Sequence, residues 1–147
     1  MNKNKESELY DLIEEFGFFL ERSGYPPSAA RVYALLMIWE PSELHFDQIQ
    51  ELLKLSKGAT SKAVNSLIAM DRVEVITKHG VRKKYYRIKI KPGVQSAGKF
   101  LLYLETMKKY LQRIEQLKVE RGFQGLRFQE EVDFLDKLTT HLRPLIM

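Results

Sequence analysis

The chain contains no cysteine among its 147 residues. That removes disulfides, zinc–cysteine sites and thiol nucleophiles at once, and it fits a reducing compartment. No apolar run approaches the roughly 20 residues of a membrane span, and the opening MNKNKESELYDL has no secretory apolar core. A soluble, cytoplasmic protein with no membrane partner is expected. Histidine is sparse: His45, His79 and His141 lie far apart, with no carboxylate pair or glycine-rich phosphate loop beside them. No catalytic residues, no metal site and no cofactor are therefore expected. One stretch is short of acid. From Ser56 to Pro92 ten basic residues stand against two acidic ones, giving +8, while the rest of the chain sums to −3. Protein surfaces normally mix their signs, so this segregation favours a polyanionic partner.

A chain of this length buries one substantial core, or one compact domain with helical extensions. Its most informative stretch is Asp47 to Met70, DQIQELLKLSKGATSKAVNSLIAM, which reads as two short helices broken at Leu55-Ser56, the spacing of a helix-turn-helix. Asp47 with Gln50 suggests a capping box for the first, and Ser56 an N-cap for the second. Ile49, Leu52 and Leu53 supply one buried face; Ala59 or Ala63, with Val64, Leu67 and Ile68, supplies the other. The opposite face of the second helix carries Lys57, Gly58, Ser61, Lys62 and Asn65, without a carboxylate.

Two strand-like runs follow, Val73 to Thr77 and Tyr85 to Ile90. In the second, Tyr86, Ile88 and Ile90 point one way and Tyr85, Arg87 and Lys89 the other. Between them Lys78 to Lys84 (KHGVRKK) holds four cations, Lys78, Arg82, Lys83 and Lys84, and no acid. This is the pattern of a winged helix. His79 in this turn is expected to be solvated.

Upstream, Leu9, Leu12, Ile13, Phe16, Phe19 and Leu20 recur at helical spacing over Ser7 to Ser23, with Gly24 as C-terminal cap. Phe16 to Leu20 is more apolar than one core needs, so a second subunit or a neighbouring helix is expected to cover it. Tyr25-Pro26-Pro27-Ser28 breaks the chain, and a helix capped by Ser28 should run from Ala29 to Trp39. Leu44-His45-Phe46 suits a short third strand. Beyond a boundary at Pro92-Gly93, Phe100, Tyr103, Leu104, Met107, Tyr110 or Leu111, Ile114 and Leu117 repeat at coiled-coil spacing. A last amphipathic helix follows Gly125, with Leu135, Leu138 and Leu142 on its stripe. These helices close on one another as a hairpin or form a dimerisation layer, and the dimer is the favoured reading. Phe16, Phe19, Phe100, Tyr103, Leu104, Met107, Leu111, Ile114, Leu135, Leu138 and Leu142 are its expected contacts. The expected organisation is an N-terminal dimerisation helix (1–24), a winged helix-turn-helix (25–92) and a C-terminal helical region (93–147), a mainly α fold with a small β-hairpin wing.

The pieces GYPPSAARVYALL (Gly24 to Leu36), LSKGATSKAVNSL (Leu55 to Leu67) and GVRKKYYRI (Gly80 to Ile88) resemble the MarR superfamily, within it the branch of glycine-betaine synthesis regulators. The resemblance implies a homodimeric winged-helix transcription regulator, mostly a repressor, that binds double-stranded DNA. Position by position it places Lys57, Gly58, Thr60, Ser61, Lys62 and Asn65 on the recognition helix and Arg82, Lys83 and Lys84 on the wing. The family often ends its recognition helix at a glycine, whereas Met70-Asp71-Arg72-Val73 has none, so that exit must be capped differently. A small-molecule effector is a further implied partner, and Tyr25, Tyr33, Trp39 and Tyr103 are the rings available to hold a quaternary ammonium. The alternatives are a winged helix used for protein assembly, which would need exposed apolar groups on its recognition helix, or a non-specific nucleic-acid binder.

Overall fold

The computed structural model describes residues 3–90 and 93–147. Met1 and Asn2, and Lys91 and Pro92 at the expected boundary, lie outside the described residues. The element order is α1 (Lys3–Arg22), α2 (Pro27–Ile38), β1 (Leu44–His45), α3 (Phe46–Leu53), α4 (Lys57–Ala69), β2 (Val73–Thr77), β3 (Lys84–Ile88), α5 (Gly93–Glu120) and α6 (Gln129–Ile146). The expected mainly helical fold with a small antiparallel sheet is present. The chain divides into two compact units, Met1–Ile90 and Lys91–Met147. α1 packs on α2 in the first unit and so shares a core with the helix-turn-helix.

That core is built from Ile13 and Leu20 of α1, Val32, Leu35 and Leu36 of α2, Leu44, Ile49, the Ala63, Val64, Leu67 stripe of α4, and Val73. Burying a side chain of the Leu or Ile kind is worth about 1.5–3 kcal/mol. Ala29, Ala30 and Ala34, all fully buried, keep α2 thin enough for close neighbours. Arg31 adds a polar tie between α2 and α1, reaching Glu21 and, at 3.5 Å, Glu14. A Cβ at Gly17 would lie 2.8 Å from Arg31 Cδ, so the glycine inside the apolar run Phe16 to Leu20 makes room for the arginine stem.

Several helix ends differ from the sequence expectation. α1 begins four residues before Ser7, at Lys3. It ends as expected at Gly24 (φ +107°), with Tyr25 N–H donating to Leu20 O and Gly24 N–H to Glu21 O, the paired bonds of a Schellman motif. α2 starts at Pro27 with Pro26 at the cap and no side-chain cap bond. Ser28 is not its cap, because a proline at the first helical position needs no partner for an N–H it lacks. α3 begins one residue before Asp47, and its capping box is His45 with Gln48, not Asp47 with Gln50. Gln48 N–H donates to His45 Nδ1 (3.4 Å) and His45 N–H to Gln48 Oε1 (3.0 Å). The β1 pairing sets this shift, since His45 closes the strand and is already extended when the helix starts. Ser56 caps α4 as expected, accepting from Ala59 N–H at 3.0 Å. The glycine-free exit of α4 is also a Schellman motif, with Asp71 in the left-handed region (φ +60°) and Arg72 N–H donating to Leu67 O. Lys54 takes the same left-handed role (φ +52°) between α3 and α4.

The sheet has the order β1-β3-β2. β2 and β3 pair antiparallel from Val73↔Ile88 to Thr77↔Lys84, and β1 adds Leu44↔Tyr86 and His45↔Tyr85. The expected third strand is therefore present, although Phe46 belongs to α3. Tyr86 and Ile88 pack on the core as the alternation predicts. Ile90 does not follow them: it lies past the strand end and is 88% exposed.

In the second unit α5 and α6 form an antiparallel hairpin. Leu101, Leu104, Val132 and Thr139 are buried between them. Buried Glu115 of α5 fastens the loop end, because its carboxylate accepts from Arg127 Nε (2.9 and 3.1 Å) and from Phe128 N–H (2.6 Å) at the start of α6. Bonding to the Arg127 guanidinium, with the Phe128 N–H second, holds the Glu115 carboxyl below its ordinary range against the opposing effect of burial. The stability this adds is present above the ordinary carboxylate pKa and is lost as pH falls through the lowered folded value. Thermal denaturation followed from pH 7 down to 3 should show Glu115→Gln less stable than the parent at neutral pH, with the gap closing as the medium becomes acidic.

Candidate nucleic-acid interface

The buried stripe of α4 fixes which of its side chains reach solvent. Thr60, Ala63, Val64 and Leu67 face the core, and Lys57, Gly58, Ser61, Lys62 and Asn65 lie on the exposed side. Thr60, expected on the contact face, is fully buried and donates its hydroxyl to Ser56 O at 2.8 Å. It joins the buried stripe at its N-terminal end, while Ile68, expected on that stripe, is 36% exposed. The small hydroxyl side chain fits there because the carbonyl one turn back satisfies it. Asn65 Nδ2 reaches Ser61 Oγ at 3.5 Å, so these two polar side chains stand one turn apart as neighbours. Beside this helix, Pro26 to Ala29 and Ala59, Lys62, Ala63 and Ser66 line a cleft of about 270 Å³.

In the wing, Gly80 takes φ +75° to turn the tip, where Val81 N–H donates to Lys78 O. Arg82, Lys83 and Lys84, all exposed, make no ion pair among the described residues, and neither do Lys57 and Lys62. The three wing cations border a cleft of about 280 Å³ with His45, Phe46, Asp47 and Tyr86 at the start of α3. Three other basic side chains of the stretch, Lys78, Arg87 and Lys89, are engaged. Lys78 Nζ lies 3.1 Å from Glu43 and 4.2 Å from the centre of the Tyr85 ring. Arg87 pairs across the hairpin with Glu74 at 2.6 Å and reaches Glu43 at 3.5 Å. Lys89 holds Asp71 at 2.7 Å. Bonds to Glu74 and Asp71 raise the pKa of Arg87 and Lys89 respectively. The cationic segment is thus divided into a neutralised base and a bare tip.

The rings available for a quaternary ammonium are occupied by one another. Tyr25 stacks on Tyr33 at 5.3 Å, and Trp39 meets Tyr10 at 5.4 Å. Burial, with Tyr25 next, raises the Tyr33 pKa. Tyr103 belongs to the second unit and is 58% exposed. His45 is the cap of α3, His79 is exposed in the wing and His141 Nδ1 is 2.7 Å from Lys137 O. Among the described residues no helix is long and apolar enough to cross a membrane.

On the second unit the expected dimer contacts separate into two adjacent stripes of α5. Leu104 is buried in the hairpin with Leu101, one position round from the residues expected beside it. Phe100, Tyr103, Met107, Tyr110 and Ile114 form an exposed heptad row. Leu111, Leu135, Leu138 and Leu142 are half-buried. In the first unit Phe16 is half-buried and stacks on Phe19, which is 61% exposed.

A helix-turn-helix followed by a β-hairpin, with a short third strand completing the sheet, defines the winged helix-turn-helix fold. No protein-family model matches the chain, and no curated protein matches it. Among solved structures the chain is similar to one described as a transcriptional regulator, with a TM-score of 0.58, 16% identity and 95% of each chain covered. It is also aligned with the adhesin competence repressor AdcR of Streptococcus pyogenes, at 19% identity over 94% of each chain and a TM-score of 0.41. The first of these shares the fold of this chain.

The burial of Thr60 has a direct check. Thr60→Ala should lower the unfolding free energy by about 1–2 kcal/mol in denaturant titration, through lost packing and a lost hydrogen bond. Ser61→Ala, one position round the helix and exposed, should change it by less than about 0.5 kcal/mol.

Proposed function

We propose that the protein is a sequence-specific, double-stranded DNA-binding transcription regulator of the MarR type, acting as a homodimer and most simply as a repressor. The observation that carries the reading is the coincidence of an acid-free exposed face on α4 with bare cations at the wing tip, on a fold whose second helix enters the major groove. Lys57, Lys62, Arg82, Lys83 and Lys84 neutralise phosphates, setting affinity and register. Asn65 and Ser61 read base edges, Asn65 by the bidentate pairing that amides make with adenine. Gly58 lets the helix backbone approach closely, since nothing lies within 4 Å of a Cβ built there. Thr60 drops out because it is buried, and Lys78 because Glu43 and Tyr85 hold it.

The dimer rests on the exposed row Phe100, Tyr103, Met107, Tyr110 and Ile114, whose spacing of three and four is that of a coiled-coil seam. On the first unit, half-buried Phe16 and exposed Phe19 offer an apolar pair of their own. A two-fold dimer places recognition helices in successive major grooves about 34 Å apart. A protein-assembly winged helix is less well supported, because the exposed positions of α4 from Lys57 to Asn65 carry no large apolar side chain.

Selection of bound duplexes from a random pool at near-physiological salt tests the reading. An enriched inverted repeat with half-sites about one helical turn apart is expected; salt-sensitive binding to every duplex alike would overturn sequence specificity. On the selected site, Asn65→Ala should cost about 1–3 kcal/mol and relax preference at one base pair. Arg82→Ala should weaken binding to all duplexes and flatten the salt dependence by about one unit.

The seam has its own test. Met107→Glu puts a charge in the middle of the row, and sedimentation should then show a monomer with the helical circular dichroism retained. A dimer that persisted would move the interface elsewhere.

A further inference from the structure

Glu43 lies outside the wing, one residue before β1, yet it holds both arms of the hairpin. Its Oε2 is 3.1 Å from Lys78 Nζ, just past the end of β2, and its Oε1 is 3.5 Å from Arg87 Nη1 in β3. Each partner is anchored again. Arg87 Nε bonds Glu74 of β2 at 2.6 Å, and Lys78 sits over the Tyr85 ring, which meets His45 of β1 edge-on at 5.8 Å. The contacts therefore run from Glu74 through Arg87, Glu43, Lys78 and Tyr85 to His45 of β1, two residues after Glu43. β1 joins the wing by only two ladder pairs, so side chains must do much of the work of fixing the wing's pitch. Half-exposed ion pairs add little to global stability, and what a connected chain of them can supply is orientation.

We propose that Glu43 is a positioning residue that sets the pitch of the wing, with Lys78 as its partner in place of a phosphate contact. The proposal rests on the DNA-binding reading above. Charge alone makes the opposite forecast, because removing an acid beside a polyanion tightens binding to every duplex.

Glu43→Gln and Lys78→Gln change the net charge in opposite senses and break the same contact, so binding of each to the selected site and to an unrelated duplex separates the two accounts. If Glu43 positions the wing, both variants lower the ratio of specific to non-specific affinity by about fivefold, and the double variant lowers it no further. A Glu43→Gln protein that binds both duplexes more tightly with its ratio unchanged would overturn the proposal. Amide hydrogen exchange without DNA gives a second readout. Exchange over residues 74–87 should quicken in both variants while α2 stays protected, and unaltered exchange there counts against the brace. If the parent protein shows no preferred sequence, the sequence-specific reading fails by itself, and the exchange result alone decides whether Glu43 holds the wing.

Discussion

The first unit depends on the packing of α4 against α2. The small buried residues of α2, Ala29, Ala30 and Ala34, and Ala63 on α4 leave room for Val32, Leu35, Val64 and Leu67 to pack in one core. Once that face is committed, the outward direction of every other side chain on α4 is settled, because helical residues separated by three and four share a face. Lys57, Ser61, Lys62 and Asn65 are presented to solvent because Thr60, Ala63, Val64 and Leu67 cannot be. A half-turn rotation of α4 would bury two lysines and expose the stripe, a cost of several kcal/mol on the hydrophobic side alone.

Charge is arranged on the same economy. The stretch from Ser56 to Pro92 is strongly basic as a sum, but acids contributed by the chain before α4, by its exit turn and by the hairpin itself neutralise particular members. Glu43 meets Lys78 and Arg87, Asp71 meets Lys89, and Glu74 meets Arg87. Among the described residues, Arg82, Lys83 and Lys84 at the wing tip and Lys57 and Lys62 on the helix make no ion pair. Cations left bare at the wing tip and on the exposed face of α4 make a more defined electrostatic target than the same charges spread evenly along a segment, because like charges at the wing base would only raise affinity for any polyanion.

The second unit solves a different problem. An α-helical hairpin has two long helices and only one mutual seam, and here Leu101, Leu104, Val132 and Thr139 fill it while Glu115 fastens one end through Arg127 and Phe128. The neighbouring row of α5 repeats the same heptad spacing one residue out of phase and is left exposed. An exposed apolar row of this kind is a marker of a further partner surface, and it is the ground for the homodimer proposed above.

The sequence by itself determined the existence and order of the elements, the break at Leu55-Ser56, the Ser56 cap, the Gly24 turn and the acid-poor tip, because these follow from local periodicity, local hydrogen bonding and composition. It also pointed to the exit of α4 as irregular, and Asp71 in the left-handed region is how the chain meets that need. Tertiary structure alone decided the rest. His45 displaced Asp47 as a cap because strand pairing with Tyr85 fixed its backbone first. Thr60 went inward and Ile68 outward by the rotation of one helix on its neighbour, a choice of some tens of degrees that apolar spacing does not resolve. Leu104 and Tyr103, adjacent in sequence and both expected on one seam, were divided between the hairpin and the outer row by the seat of α6 on α5. Lys78 and Arg87 lost their freedom to Glu43, 35 and 44 residues away, and a contact across that separation exists only once the wing has folded back beside β1.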